Sequence, residues 1–339
     1  VPMSHRLVSV LIALAGLMLM GSASAQELRL DPAKVMGPTA CGDCHESSLA
    51  AWRGTHHFST FKEMPRTEEA RSIADKLGIK RIKAEGECVS CHFTSKTDAG
   101  ETDTIAGITC ESCHGAGKDW IEVHSDFGGK DATAKTESEA HRATRWAQSE
   151  AAGMIRPGNL YALAENCYQC HTVPRENLVN TGGHTAGSDF ELVAWSQGEV
   201  RHNLWYNDAA SNEEASLNRR RVMFLVGQAL DLEYALRGVA KATAKAEYAV
   251  AMAKRAKRSA LRIKAISDAG VAIPEVAALL KIAGSAKVSL NNEAALTAAA
   301  EQVAAQGKAI ATKYDGSELA AVDTLLPKPD AYKGMVFSP

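Results

Sequence analysis

The chain has 339 residues, 45% of them hydrophobic and 23% charged, with a formal net charge of −2. That is the composition of a globular protein and excludes a disordered, collagen-like or polytopic membrane chain. Only 6% of the residues are aromatic, so a large core must come from aliphatic side chains or from something that is not protein.

The chain opens with His5 and Arg6, an apolar run from Leu7 to Met20, and Gly21-Ser22-Ala23-Ser24-Ala25. This charged, apolar and small-residue order predicts a secretory signal over residues 1–25, cleaved to leave Gln26 first, and hence a periplasmic location. The run falls short of the ~20 residues that cross a bilayer, and no later segment approaches that length, so no membrane span is expected.

Residues 26–207 read as short helices and loops punctuated by Gly and Pro, with helices over 47–58 and 67–77 and no alternation that predicts a sheet. All eight cysteines fall here, in four pairs that are each followed by histidine. They are Cys41-Gly42-Asp43-Cys44-His45, Cys88-Val89-Ser90-Cys91-His92, Cys110-Glu111-Ser112-Cys113-His114 and Cys167-Tyr168-Gln169-Cys170-His171. Two thiols three positions apart on one helical turn can add to the two vinyl groups of a haem, and the next residue brings an imidazole under the iron. Disulfides do not require a histidine after each pair, zinc needs two pairs brought together, and a thioredoxin-like redox pair does not recur four times. The pattern predicts four covalently bound haem c groups tethered by these cysteines, with His45, His92, His114 and His171 on the proximal side of the irons. Haem then supplies the missing core.

Each iron has a second axial position; a filled one suits electron transfer, and an open one can bind a small molecule. His56, His57, His124, His141, His184 and His202 are six candidates for four positions. Met36, Met64 and Met154 are expected to be packing residues. Residues 26–207 carry 19 basic and 26 acidic side chains, a balance of −7, which favours a redox partner with a basic docking surface.

From Asp208 onward there is no cysteine and no histidine, and the balance turns to +4 from 18 basic and 14 acidic residues. Residues 208–339 are expected to form a haem-free helical module. Residues 212–269 read as one long helix, with Glu213 and Glu214 in its first turn, Gly238 as a possible break and Gly270 at its end. Leu225, Ala229, Leu232, Leu236, Val239, Thr243, Ala246, Val250 and Ala253 keep coiled-coil spacing. The partner helix is expected from residues 274–283 and 291–313 folding back as an antiparallel hairpin, or from a second copy of the chain. The basic stretch Lys254, Arg255, Lys257, Arg258, Arg262 and Lys264 reads as a solvated face or a docking surface for an acidic haem domain, and not as a nucleic-acid site.

The order and spacing of the four pairs, with Ile108-Thr109 before the third and Gly115-Ala116-Gly117 after it, resemble the tetrahaem cytochrome c-554 family of the bacterial periplasm over about Thr39 to Asn207. The resemblance implies a mainly α, multihaem cytochrome c domain with little strand. It implies crossed axial ligands: His124 on the first iron, His57 on the third, and His202, which follows Phe190 and Glu199-Val200, on the fourth. It also implies an open second iron, on His92. The sequence departs from the family at Gly182-Gly183-His184, a spare histidine that can close the second iron or exchange roles with His202. Three functions follow: a carrier of single electrons, a reductase of nitric oxide, nitrite or a related species at an open second haem with Glu85 and Glu87 nearby, or a structural subunit of a larger electron conduit.

Overall fold

The computed structural model describes residues 30–84 and 86–339. The signal sequence read over residues 1–25, and Glu85, lie outside the described residues.

Frequent caps divide the first part of the chain into short helices: α1 (Pro38–Gly42), α2 (Glu46–Arg53), α3 (His56–Glu63), α4 (Glu68–Leu77), α5 (Gly86–His92), α6 (Cys110–His114), α7 (Ile121–Ser125), α8 (Glu139–Ala151), α9 (Leu160–His171), α10 (Glu176–Asn180) and α11 (Leu192–Ser196). The single helix expected over 47–58 is two. Gly54 ends α2, and Thr55 restarts the chain as the N-cap of α3, its hydroxyl accepting from Phe58 N at 3.2 Å. The helix expected over 67–77 forms as α4, capped by Thr67 and closed by Gly78. Between α5 and α6 an antiparallel ribbon pairs β1 (Thr94–Asp98) with β2 (Glu101–Ala106). The fold is mainly α, with little strand.

The later part contains α12 (Leu217–Lys241), α13 (Glu247–Asp268), α14 (Pro274–Ser285) and α15 (Glu293–Lys313). The long helix expected over 212–269 is therefore interrupted after Lys241, not at Gly238. The interruption has a tertiary cause: the Glu176 carboxylate accepts from Thr243 N, Thr243 Oγ1 and Ala244 N, and Asn180 Oδ1 accepts from Tyr248 N at 3.0 Å. Side chains of α10 thus satisfy the amides that a continuous helix would have used internally. The short connection turns α13 back along α12 as a helical hairpin, and α15 packs along α12 as the fold-back helix expected from the sequence. Leu225, Ala229, Leu232, Leu236 and Val239 are buried, whereas Val250 is 40% exposed because the turn takes it off the seam.

One apolar core runs across position 208. Leu160, Tyr161, Ala164 and Tyr168 of α9 pack with Leu225, Ala229 and Leu236 of α12 and with Val303 and Ile310 of α15. The basic stretch on α13 is not a uniformly solvated face. Arg255 is buried, donates to Asp231 at 2.6 Å, and reaches Ser188 O at 3.0 Å. Beyond α15 the chain returns as a strap: Lys333 N donates to Ala194 O at 3.0 Å, Lys333 O accepts from Glu199 N at 2.8 Å, and Phe337 O accepts from Asn212 Nδ2.

Candidate haem sites

Each cysteine pair lies on a single turn, with its histidine at the turn's end. In the first motif His45 N donates to Cys41 O at 2.9 Å just beyond α1. The second and third occupy α5 and α6, and the fourth is the last turn of α9. A capping box fixes α6: Thr109 and Ser112 exchange side-chain and backbone hydrogen bonds.

The fold brings a second imidazole opposite each motif histidine. His45 faces His124 with ring centroids 5.9 Å apart, His92 faces His184 at 6.3 Å, His114 faces His202 at 6.2 Å, and His171 faces His57 at 6.3 Å. Two imidazoles bonded to one metal ion at about 2.0 Å each, with half a ring width added on either side, have centroids about 6 Å apart. Four such pairs beside four cysteine pairs fit the axial ligands and tethers of haem c. Among the described residues no group of three or more His, Cys, Asp or Glu side chains is arranged to hold a bare metal ion.

Several rings are also oriented. His114 Nδ1 donates to Ile155 O at 2.9 Å, His184 Nδ1 to Thr185 O at 2.8 Å, and His202 Nδ1 to Val200 O at 2.8 Å; His171 Nδ1 lies 3.1 Å from Ser188 Oγ. A carbonyl partner puts the proton on Nδ1 and leaves the Nε2 lone pair for a metal. Burial, reinforced by neighbouring histidines, pushes His92 and His124 down to about 4. Both are neutral at pH 7, as a ligating imidazole must be.

Two of the pairings implied by the resemblance are corrected. The His57 ring lies against His171 of the fourth motif and not against the third, while its backbone carbonyl accepts from Ile108 N at 3.0 Å. Gly107 permits this approach, since a Cβ there would lie 2.1 Å from His57 O. His202 faces the third motif, not the fourth, because Asn212 holds its segment by accepting from Asn203 N and donating to Arg201 O. The His124 ring lies beside the His45 ring, and the His184 ring beside the His92 ring, where the resemblance implied an open side. The two spare histidines hold carboxylates: His56 Nδ1 lies 2.7 Å from Glu199, and His141 Nδ1 lies 2.7 Å from Glu137.

Sequence reasoning missed the residues that tie the motifs together. Glu111, inside the third motif, is 1% exposed and accepts from Met36 N, Gly37 N and Gly117 N, anchoring the segment that leads into α1. The Cys41 and Cys110 side chains are neighbours, which brings motifs one and three together. Asn166 Nδ2 donates to Cys113 O at 2.9 Å, joining three and four. Arg175 donates to Gly86 O, Glu87 and Ser90 Oγ, joining four and two. Arg145, paired with the buried Glu137, donates to His124 O at 2.7 Å. Buried charges inside a motif or near a spare histidine were the available signal, but their partners are distant in sequence.

A family model, cytochrome c554 and c-prime, matches residues 40–115. That span holds the first three motifs. A cytochrome c-554 from Nitrosomonas europaea is 26% identical over 156 residues, which cover 44% of this chain and 61% of that protein. The chain thus spans about three-fifths of the length of the curated relative. No solved structure matches. Among the described residues no helix is long and apolar enough to cross a membrane.

Proposed function

We propose that the chain is a periplasmic carrier of single electrons with four haem c groups, all with two axial histidines. The observation that carries this reading is the set of four opposed imidazole pairs, at 5.9, 6.3, 6.2 and 6.3 Å, one for each Cys-x-x-Cys-His turn. Bound haem supplies an iron that changes oxidation state by one electron without exchanging ligands when both axial positions are filled. Cys41 and Cys44, Cys88 and Cys91, Cys110 and Cys113, and Cys167 and Cys170 are the tethers. His45 pairs with His124, His92 with His184, His114 with His202, and His171 with His57. Contacts between motifs join the first to the third, the third to the fourth and the fourth to the second, which would hold the four groups as neighbours.

Residues 26–207 hold the groups, and residues 208–339 form the helical module that braces the fourth motif and offers a face for self-association. The acidic balance of residues 26–207 favours a basic redox partner, whose binding weakens with added salt. With His184 opposite His92 we infer electron carriage over reduction of a small molecule at that iron.

Intact mass spectrometry is expected to show four added haem masses, and electron paramagnetic resonance of the oxidised protein only low-spin ferric signals. A mass with fewer haems overturns the count. A stoichiometric high-spin signal overturns the ligation of one iron and restores the reductase.

A further inference from the structure

Every third or fourth residue of a helix returns to one side, which divides α13 into two faces. Met252, Ser259, Ile263 and Ile266 are buried on one, while Val250, Lys254, Lys257, Arg258, Leu261 and Lys264 are exposed on the other. From Lys254 to Lys264 the chain contains no acidic residue. Glu247 and Asp268 stand at the two ends of the helix, where Lys264 holds Asp268 at 2.7 Å, and Arg258 comes no nearer than 3.8 Å to Asp189. Leu261, among these cations, is 59% exposed. The stripe lies in the part of the chain that has no cysteine or histidine, so it is separate from the haem sites proposed above.

The ribbon of β1 and β2 carries the opposite charge. Ala99 and Gly100 join its strands at φ of 49° and 86°, the left-handed pair of a tight two-residue turn, and Asp98 stands directly across from Glu101. Alternation along the strands puts Asp98, Glu101 and Asp103 on one face, and all three are exposed. Like charges directly opposite each other destabilise a ribbon, a cost that a cationic neighbour removes. Lys96, which is paired in register with Asp103, donates instead to Met36 O at 3.3 Å.

We propose that the basic stripe of α13 is a docking surface for a second copy of this chain, whose β1–β2 ribbon lies along it. The balance of −7 over residues 26–207 against +4 over residues 208–339 draws unlike ends of two copies together. Asp103 lies about 7 Å back along β2 from the tip pair of Asp98 and Glu101, and Arg258 lies about 6 Å along α13 from Lys254. A ribbon laid along the helix therefore sets carboxylates against Lys254 and Arg258, and Leu261, one turn beyond, is withdrawn from water. The two surfaces differ, so the contact runs head to tail and builds rings or open chains of copies. One helix face against one ribbon is a small contact, of the size that gives weak and reversible association. The proposal goes beyond the carrier reading and does not depend on the axial ligands.

Sedimentation velocity of the holoprotein tests this. At about 10 mM salt the average mass is expected to rise with chain concentration; at about 1 M, where the reach of a surface charge shrinks from about 30 Å to about 3 Å, the protein is expected to be monomeric. Lys254→Glu with Arg258→Glu, and separately Asp98→Lys with Glu101→Lys, are each expected to weaken association at least about tenfold. All four positions are exposed, and circular dichroism and haem content confirm that each variant is folded. An equimolar mixture of the two variants is expected to restore association, because the reversed helix of one then meets the reversed ribbon of the other. Monomer at every concentration in low salt overturns the proposal. So does association that both reversals leave unchanged, association that strengthens with salt, or a mixture that stays monomeric. Monomer in low salt together with binding to phosphatidylglycerol vesicles that the α13 reversal abolishes assigns the stripe to an anionic membrane, and also overturns it. A protein with fewer than four haems that still associates in this way overturns the haem count alone.

Discussion

Glu111 sits between the cysteines of the third pair, yet its carboxylate serves the approach to the first. Oε1 accepts from Met36 N at 2.8 Å and Gly117 N at 2.7 Å, and Oε2 accepts from Gly37 N at 2.8 Å. Glu111→Gln preserves the shape and converts one of these acceptors into a donor. With the amide oxygen kept toward Met36 and Gly117, the amide nitrogen confronts Gly37 N–H; flipped, it confronts the other two. One buried donor left unpaired costs about 1–3 kcal/mol, and the surviving bonds lose their charge assistance, for a total of about 2–3 kcal/mol. At 1.36 kcal/mol per factor of ten, amide exchange at Met36, Gly37 and Gly117 should quicken about 30- to 150-fold. Hydrogen exchange of the reduced, diamagnetic holoprotein reads this locally. That choice matters because a chain tethered to several cofactors need not unfold in two states. Amides of α13 serve as the internal control. A change below about threefold at all three positions refutes the claim that this carboxylate holds the first and third motifs in register.

Arg145 first, and His141 second, hold the Glu137 carboxyl down at about 2, against its ordinary 4.5. A depressed folded pKa adds stability that is fully present above pH 4.5 and is lost as the pH falls from there through about 2. Acid titration should therefore loosen amides of α7 and α8 in that window in the parent and not in Glu137→Gln. Asp231→Ala strands the buried Arg255 and should cost about 3–5 kcal/mol by thermal denaturation, with part of the loss recovered when Arg255→Met is added. Gly183→Ala forces a side chain into φ +78° at a cost of about 1–2 kcal/mol, read as a lower Tm. His184→Ala should convert one low-spin ferric haem to high-spin, and an unchanged resonance spectrum would remove His184 from the axial set.

The parts of the site that are contiguous in sequence were legible there, because tethering needs two thiols and an imidazole within one turn. The opposed histidines come from elsewhere in the chain. Their identities could be shortlisted from a surplus of histidine, but the partners of His57 and His202 depend on which way a backbone faces. At His57 the ring's neighbour is His171, far along the chain, which no spacing rule reports. The ribbon of β1 and β2 had no signal because Thr94-Ser95-Lys96-Thr97-Asp98 is polar on both faces. The interruption after Lys241 was equally silent: Ala242-Thr243-Ala244-Lys245-Ala246 contains neither Gly nor Pro, and the groups that stop the helix belong to Glu176 and Asn180.

These same contacts bear on why a cysteine-free stretch follows four closely spaced motifs. The first three motifs are braced by one another and by Glu111, whereas the fourth ends a helix whose buried side faces α12 and α15. Several restraints on His171 lead back to the later helices. Its Nδ1 lies beside Ser188 Oγ, its carbonyl accepts from Ser188 N, and Ser188 O accepts from Arg255, which is fixed in turn by Asp231 on α12. The aromatic wall of Phe190 and Trp195 against the same ring ends at Ala194, whose carbonyl is held by the strap at Lys333. The dependence also runs the other way, since Glu176 and Asn180, just past the fourth motif, stop α12 and start α13. A haem on His171 would thus sit at a junction that neither half of the chain completes alone, and the potential of that site would be set partly by residues that touch no cofactor.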